Sequence, residues 1–272
     1  MKSITGLLID LDGVLVKGKA MNPFPDAAEF MTFLRRRGIA FRIVTNNSMK
    51  PLSWIAGHLQ ENNILVFEEE IVSPMAICPR ILKDQKREKV FVMGSEDLKQ
   101  HLASLGFSIK TDAAVDAVLV AQDRTLHFEE IKTAITAIKK YGAELFAMND
   151  NRIILDDDGM PFAGAGAICR LLIYATDYRD HFVHFGKMGE IYNQTLFEQF
   201  HQDKGTLALI SDDLYTDIKG YQAEGLMGIF LTTGKYGKED VAGDMKPDVI
   251  LDSLTEVVAF LKCSNAAQEA SG

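Results

Sequence analysis

The chain has 272 residues, enough for one large domain or for a core domain with a smaller one. With 47% hydrophobic and 25% charged residues, its composition is that of an ordinary globular protein. The formal net charge of -9 argues against binding nucleic acid or an anionic membrane through a general basic face, so neither is expected as a partner. A small anionic substrate stays compatible with this charge, because a bound metal ion reverses the local sign.

Cysteine usage and hydropathy predict a cytoplasmic protein. Cys78, Cys169 and Cys263 lie far apart without a Cys-x-x-Cys pair, which indicates reduced thiols. The apolar N-terminal stretch is interrupted by Asp10 and Asp12, which is not typical of a signal peptide. No run of ~18 uncharged apolar residues occurs, so no transmembrane helix is expected.

Short apolar runs alternate with helical patterns along the chain, which predicts an α/β fold with a doubly wound parallel sheet. The helical patterns cover residues 26–37 and 127–141, and the acidic string at 156–159 is expected to be a turn rather than a calcium loop. Runs of this length suit strands buried on both faces, and they occupy residues 6–9, 41–44, 90–93, 117–120, 144–147, 182–185, 207–210, 228–231 and 248–251.

The first predicted strand ends in Asp10-Leu11-Asp12-Gly13. Two close carboxylates repel each other, so a cation is expected nearby, and Mg²⁺ suits carboxylates, waters and phosphate oxygens. Ligands of such sheets bind at the carboxyl ends of the strands. For this string alone, the alternative is a simple Asp-Gly turn after a strand.

Two further strand ends carry groups that suit a phosphate. Thr45-Asn46-Asn47-Ser48 follows the second strand, where a hydroxyl and backbone N–H groups can hold phosphate oxygens. The alternative there is helix capping by Asn47 or Ser48. Lys187 follows the run at 182–185 and can neutralise phosphate and an attacking carboxylate, the alternative being an ordinary surface lysine.

A fourth strand end places acids after the run at 207–210, at Asp212 and, five residues later, at Asp217. This spacing suits a metal ligand followed by an acid that orients a ligand, a water or a lysine. A purely structural interpretation would have to account for the polar residues at all four strand ends at once. The combination therefore favours a metal-assisted phosphoryl-transfer site.

These strings resemble the motifs of the haloacid dehalogenase-like superfamily, specifically its NagD-like or type-IIA phosphatases. Asp10-Leu11-Asp12-Gly13-Val14 is similar to motif one and Thr45-Asn46-Asn47-Ser48 to motif two. Lys187 is similar to motif three, and Asp212 with Asp217 to motif four. The resemblance extends to 118–123 and 159–167, which are similar to cap segments, and to 246–254 at the C-terminal end.

The resemblance implies a Rossmann-like catalytic core formed by 1–76 and 182–272, with an inserted α/β cap domain at 77–181. It implies a Mg²⁺-dependent phosphatase of small phosphorylated metabolites, such as sugar phosphates or nucleoside monophosphates. An oligomeric state is not implied, although a homodimer through an apolar cap surface is possible.

The resemblance also implies the roles of the site residues. Asp10 would be the nucleophile that becomes an aspartyl-phosphate, and Asp12 the general acid and base. Mg²⁺ would be held by the Asp10 carboxylate, the Asp12 backbone carbonyl and Asp212, with Asp217 supporting the metal or Lys187. The transferring phosphoryl group would be held by Thr45, Asn46 and Lys187.

Two cap features are candidates for contact with the substrate. Asp123 is the first, with capping of the helix that begins near Phe128 as its alternative. The Gly164-Ala165-Gly166 string is the second, with close helix packing as its alternative.

Several positions depart from the family pattern: Met188 stands where Pro is usual, Ser211 where Gly is usual, and Asp213 where Arg is frequent. The acids and the lysine are intact, so the departures leave the predicted reaction type in place. The cap carries departures at Ala121 and Met148, so substrate identity does not transfer. A phosphotransferase and a non-catalytic metabolite-binding protein of the same fold stay as alternatives.

Overall fold

A computed structural model describes residues 4–18, 20–155, 160–179, 181–200 and 202–269. The acidic string at 156–159, predicted as a turn, lies outside this part of the chain. Among the described residues, no helix is long and apolar enough to cross a membrane.

Every apolar run predicted as a strand contains one. The strands are β1 (Gly6–Asp10), β2 (Val16–Lys17), β3 (Asn22–Pro23), β4 (Ala40–Val44), β5 (Ile71–Val72), β6 (Lys89–Met93), β7 (Ser108–Ile109), β8 (Ala117–Val120), β9 (Glu144–Ala147), β10 (Ile153–Leu155), β11 (Pro161–Ala163), β12 (Val183–His184), β13 (Leu207–Ser211), β14 (Met227–Leu231) and β15 (Val249–Leu251).

Helices separate the parallel strands. They are α1 (Ala27–Arg37), α2 (Leu52–Glu61), α3 (Pro74–Asp84), α4 (Glu96–Ser104), α5 (Phe128–Tyr141), α6 (Ala165–Thr176), α7 (Glu190–Glu198), α8 (Lys219–Ala223) and α9 (Leu254–Glu269). Helix α1 illustrates the helical periodicity of the apolar residues, since Phe30, Met31 and Leu34 are buried on one face. Gly38 ends it in the left-handed conformation with φ 63°.

The chain forms two compact units. The first comprises Met1–Thr45, Ser53–Val72 and Thr195–Gly272. It contains a six-stranded parallel sheet in the order β15-β14-β13-β1-β4-β5. All five residues of β1 and of β13 are buried, as expected for central strands covered on both faces.

The second unit comprises Asn46–Leu52 and Ser73–Gln194. It contains a five-stranded parallel sheet in the order β12-β9-β8-β6-β7 and a separate antiparallel pair, β10 with β11. Its core packs strand residues such as Phe91, Val118 and Leu145 against Ala134 of α5 and Leu172 of α6.

The two sheets with flanking helices confirm the predicted α/β fold class. The limits of the units differ from the predicted division at 76/77 and 181/182, since β12, just before Lys187, belongs to the sheet of the second unit. The assignment of a catalytic core and a cap therefore stays a prediction.

The three cysteines are free. Cys78 and Cys169 are buried, and this burial raises the pKa of both thiols well above the ordinary value. Such thiols are poor nucleophiles.

Candidate active site

Three polar strand ends meet at one edge of the six-stranded sheet. Strand β1 lies between β13 and β4, and the three run parallel. Asp10 ends β1, Thr45 follows the end of β4, and Asp212 follows Ser211 at the end of β13. The register pairs Ile9 with Ile210, so Asp10 and Ser211 occupy neighbouring positions. Parallel order thus brings together residues that are about 200 positions apart in sequence.

Asp10 is buried, with 6% of its surface exposed. Its Oδ1 accepts the backbone N–H of Leu11 at 2.7 Å, and its Oδ2 lies 3.1 Å from Ser211 Oγ. Asp12, by contrast, is exposed on the turn that follows. The two predicted catalytic acids thus occupy different environments, one enclosed and one open to solvent.

Asp212 is also buried, and backbone groups enclose its carboxylate. Its Oδ2 accepts the backbone N–H of Lys235 at 2.6 Å. Gly13 and Gly234 approach the same oxygen so closely that a side chain on either one would overlap it. The Thr233 hydroxyl donates to the carbonyl oxygen of Gly13, which ties the two glycine segments together. The segment 233–235 was not singled out from the sequence, because its proximity to Asp212 depends on tertiary structure.

The departure at Asp213 has a local structural role. Its Oδ1 accepts hydrogen bonds from backbone N–H groups of the following π-helical turn, Leu214–Ile218. Its Oδ2 accepts a hydrogen bond from Lys235 Nζ at 2.8 Å. Burial lowers the pKa of Lys235, but attraction to Asp213 and their hydrogen bond outweigh it, so the pKa lies above its ordinary value. Lys235 is therefore a cation beside the acids of motif four.

Asp217 lies in that turn and is 2% exposed. Its Oδ2 lies 2.8 Å from Ser211 Oγ, the same hydroxyl oxygen that faces Asp10. From the sequence, Asp217 was expected to support a metal or Lys187. The structure connects it to Asp10 through Ser211, which the sequence marked only as a departure.

The other predicted phosphate-binding residues form a separate group in the second unit. The backbone N–H of Lys187 donates to Asn46 Oδ1 at 2.7 Å. Gly186 packs against Asn46 and Asn149, leaving no room for a side chain at this position. Lys187 is only 6% exposed, so it is not an ordinary surface lysine.

Asn47 stabilises the turn that follows β4 and lies five residues before α2, which begins at Leu52. Its Oδ1 accepts the backbone N–H groups of Met49 at 3.0 Å and of Lys50 at 3.1 Å. A side-chain oxygen engaged by two backbone donors stabilises the local turn.

Asp123 lines a cavity of about 250 Å³ in the second unit, together with Met93, Val120, Arg124, Phe162 and Ile168 among others. The cavity lies at the carboxyl ends of β6 and β8. The Arg124 guanidinium lies 5.4 Å from the centre of the Phe162 ring.

Asp123 does not cap helix α5. Its Oδ1 accepts the backbone N–H of Thr125 at 2.7 Å and the Thr125 hydroxyl at 2.8 Å. The helix instead begins after His127, whose backbone N–H donates to Glu130 Oε2 at 2.9 Å. The helix-capping alternative for Asp123 is therefore wrong.

The glycines of Gly164-Ala165-Gly166 allow close packing. A side chain on Gly164 would overlap the carbonyl of Asn151, and one on Gly166 would overlap Asp150. Gly164 immediately precedes α6. The packing alternative accounts for these two glycines.

The acids of the first unit suit a magnesium ion. Within the described ranges, no cluster of three or more His, Cys, Asp or Glu side chains could enclose a metal. Mg²⁺ does not need such a cage, because it retains waters and binds one or two carboxylates together with substrate phosphate. Asp10 and Asp212 supply hard oxygen donors at adjacent strand ends, so this donor set fits the ion.

Comparisons with known proteins identify the family of the chain. A family model described as haloacid dehalogenase-like hydrolase matches residues 7–108, and one described as HAD-hydrolase-like matches residues 184–257. The chain is therefore a haloacid dehalogenase-like hydrolase.

Its relatives are phosphatases. It is 29% identical over 263 residues to the 5'-nucleotidase YutF of Bacillus subtilis, covering 96% of this chain and 100% of that protein. It is 28% identical over 264 residues to an acid sugar phosphatase of Staphylococcus haemolyticus, covering 96% of this chain and 98% of the relative. A p-nitrophenyl phosphatase from Archaeoglobus fulgidus superposes with a TM-score of 0.81 at 28% identity, covering 95% of this chain and 99% of that structure. These similarities define the chain as a phosphatase.

Proposed function

We propose that the protein is a Mg²⁺-dependent phosphomonoester hydrolase that acts on small phosphorylated metabolites through an aspartyl-phosphate intermediate. The observation that carries this proposal is the pair of buried carboxylates, Asp10 and Asp212, at neighbouring strand ends. A buried carboxylate is costly unless hydrogen bonds or a cation compensate its charge, and groups of such acids are typical of catalytic sites, where a phosphatase of this type requires them.

In the first step, an Asp10 carboxylate oxygen attacks phosphorus, and the bond between phosphorus and the ester oxygen breaks. Asp12 donates a proton to the departing alkoxide, which leaves as the alcohol. The exposed position of Asp12 supports this role, because the acid must reach a leaving group that enters from solvent.

In the second step, a water molecule attacks phosphorus of the aspartyl-phosphate. Asp12, now ionised, takes the proton of that water, and the bond between Asp10 and phosphorus breaks. Inorganic phosphate leaves, and both carboxyl groups return to their starting state. Each proton that Asp12 gives in the first step is thus recovered in the second.

The remaining residues hold charge and geometry. Bound Mg²⁺ would supply positive charge to the carboxylates and the phosphoryl oxygens, with Asp10, Asp212 and the Asp12 backbone carbonyl as its protein ligands. Thr45, Asn46 and Lys187 bind the phosphoryl group in this proposal. Phosphoryl transfer depends mainly on such positioning and charge stabilisation.

The cavity around Asp123 is the candidate site for the leaving group. Its apolar wall and the Phe162 ring suit an uncharged planar or ring-shaped group, and Arg124 and Asp123 offer polar contacts. The relatives named 5'-nucleotidase, acid sugar phosphatase and p-nitrophenyl phosphatase support substrates of this size.

The direct test measures release of p-nitrophenol and of inorganic phosphate from p-nitrophenyl phosphate, with and without Mg²⁺. We expect the wild-type protein to be active only with Mg²⁺, and we expect the Asp10→Asn variant to be inactive. Asp84→Asn, at an exposed position of α3, is the matched control and should keep full activity. Acid quenching during turnover should trap a wild-type protein that carries one phosphoryl group. The Asp10→Asn variant should carry none.

The product ratio separates the alternatives. Equal amounts of p-nitrophenol and phosphate indicate hydrolysis, whereas excess p-nitrophenol in the presence of a sugar acceptor indicates phosphotransfer. No release from a broad panel of phosphomonoesters would favour a binding protein. Near-wild-type activity of Asp10→Asn would exclude the covalent scheme.

Replacing Phe162 tests the leaving-group site. Phe162→Ala should raise KM for nucleoside monophosphates and p-nitrophenyl phosphate, with kcat less affected, because it removes apolar contact to the leaving group. Phe128→Ala, which removes an exposed ring on α5, is the control. Equal KM values for Phe162→Ala and wild type across the panel would place the leaving group elsewhere.

A further inference from the structure

Ser211 lies between two buried acids of the first unit. It is fully buried at the end of β13, with Oγ 3.1 Å from Asp10 Oδ2 and 2.8 Å from Asp217 Oδ2. The backbone N–H of Asp213 donates to the same Oγ at 3.1 Å. The hydroxyl is thus held in place by the backbone and faces two carboxyl groups at once.

A serine hydroxyl has a single hydrogen to donate. Whatever else the two carboxyl groups contact, that hydrogen serves only one of them at a time. A hydrogen bond to an ionised acceptor is stronger than one to a neutral acceptor, so the hydrogen follows the greater negative charge.

The position of this hydroxyl bears on the geometry of Asp10. The terminal torsion of an aspartate is broad, so the carboxylate plane is not determined by its rotamer alone. Here the Leu11 N–H contacts Oδ1 and the Ser211 hydroxyl faces Oδ2, so each oxygen has a donor on its own side. Two donors at separate oxygens fix the plane of the carboxylate.

We propose that Ser211 is a positioning residue: its hydroxyl holds the Asp10 carboxylate in orientation for attack and turns to Asp217 once Asp10 carries the phosphoryl group. This inference rests on the proposed function, in which Asp10 is the nucleophile. Phosphorylation reduces the negative charge on the Asp10 oxygens, and the Ser211 hydrogen then has a better acceptor in Asp217. No covalent bond to Ser211 forms or breaks.

The test replaces Ser211 by Ala and by Gly, both smaller, so that neither variant is overpacked. We expect kcat for p-nitrophenyl phosphate to fall between about tenfold and a hundredfold, the factor that corresponds to one hydrogen bond to a charged group. KM should change by less than about twofold, because the hydroxyl orients the nucleophile and does not bind substrate.

Ser264→Ala is the matched control. Ser264 is another buried serine of the first unit, and its hydroxyl donates to the Phe260 carbonyl oxygen at 3.0 Å within α9. Its replacement removes a buried hydroxyl without touching the acids, so kcat should stay at the wild-type value.

The outcomes separate this inference from the proposed function. An inactive wild-type protein, or an active Asp10→Asn variant, would overturn both. If the wild type is active and Asp10→Asn is not, the inference stands or falls on Ser211 alone. Values of kcat for Ser211→Ala and Ser211→Gly equal to that of Ser264→Ala would overturn it, as would a loss confined to KM.

Discussion

The side chain of Asn46 accepts a hydrogen bond from the backbone N–H of Lys187, with 2.7 Å between Asn46 Oδ1 and Lys187 N. The two residues are 141 positions apart, so this bond holds the turn that carries Lys187 against the end of motif two. Asn46 was expected to contact phosphate, and the structure shows in addition what its carbonyl oxygen does within the protein.

Asn46→Ala should therefore release the Lys187 amide. We expect hydrogen exchange at Lys187 N to become roughly fivefold faster, since a single hydrogen bond contributes about 1 kcal/mol. Asn46→Asp, which retains an acceptor oxygen, should keep the wild-type exchange rate. Equal exchange in wild type and Asn46→Ala would show that the turn does not depend on this bond.

Met188 has a left-handed backbone, with φ 65°. Gly189 N donates to Gly186 O at 3.0 Å, so residues 186–189 form a tight turn with Met188 at its third position. Positive φ at that position is typical of a type II turn and favours glycine. Proline, which is usual at this position in the family, cannot adopt a positive φ because its ring fixes φ near -65°.

Met188→Pro should consequently destabilise the protein by ~2 kcal/mol or more, while Met188→Gly should be neutral or stabilising by up to ~1 kcal/mol. Urea unfolding measures both changes. Met160→Gly, at an exposed position, serves as the control for loss of a methionine side chain. A stable Met188→Pro variant would mean that the turn adopts another conformation.

Much of the fold follows from local sequence, because continuous apolar runs and helical periodicity are local properties. The runs containing β1, β4 and β13 predicted buried parallel strands, and the acids after β1 and β13 indicated one edge of one sheet. Short strands escaped prediction: β2 and β3 have two residues each, too few for a periodic pattern.

The finer geometry of the site could not be predicted, because it depends on contacts between distant segments. Ser211 and Asp213 looked like departures from a pattern, and only tertiary structure shows the first beside Asp10 and the second paired with Lys235. Gly234 gave no local signal, since its role arises from its closeness to Asp212. The two residues of β12 likewise do not indicate that this strand pairs with β9 in the sheet of the second unit.

Gly234→Ala should displace the Asp212 carboxylate, because the added methyl group would occupy the position of Oδ2. We expect phosphatase activity to fall by up to roughly a hundredfold, because a displacement of about 1 Å in a catalytic group can lower the rate by such a factor. The Mg²⁺ concentration required for half-maximal activity should rise at the same time. Steady-state kinetics over a magnesium series measure both effects.

Gly57→Ala is the matched control for that substitution. Gly57 lies in α2, and a methyl group there would meet nothing within 4 Å. Alanine has the higher helix propensity, so the variant should gain up to about 1 kcal/mol of stability and keep its activity. Wild-type activity in Gly234→Ala would show that Asp212 tolerates displacement.

His184 gives the second unit a predictable dependence on pH. Burial lowers its pKa below the ordinary value of 6.5; the nearby Asp150 opposes this shift and Arg170 reinforces it. Its Nδ1 is buried and has no hydrogen-bond partner among the described residues. The folded protein therefore binds a proton at His184 less readily than the unfolded chain does.

The sign of the effect follows from that difference in proton binding. Above about pH 6.5 both states are neutral at this residue and the full stability is present. As the pH falls below that value, the unfolded chain gains a proton first, so the free energy of unfolding decreases until the folded-state pKa is reached. His184→Gln should flatten this decrease in urea unfolding measured from pH 7.5 to 5 (roughly the range in which histidine titrates). His181→Gln, which removes an exposed histidine, should keep the wild-type slope, and an unchanged slope in His184→Gln would assign the pH dependence to other groups.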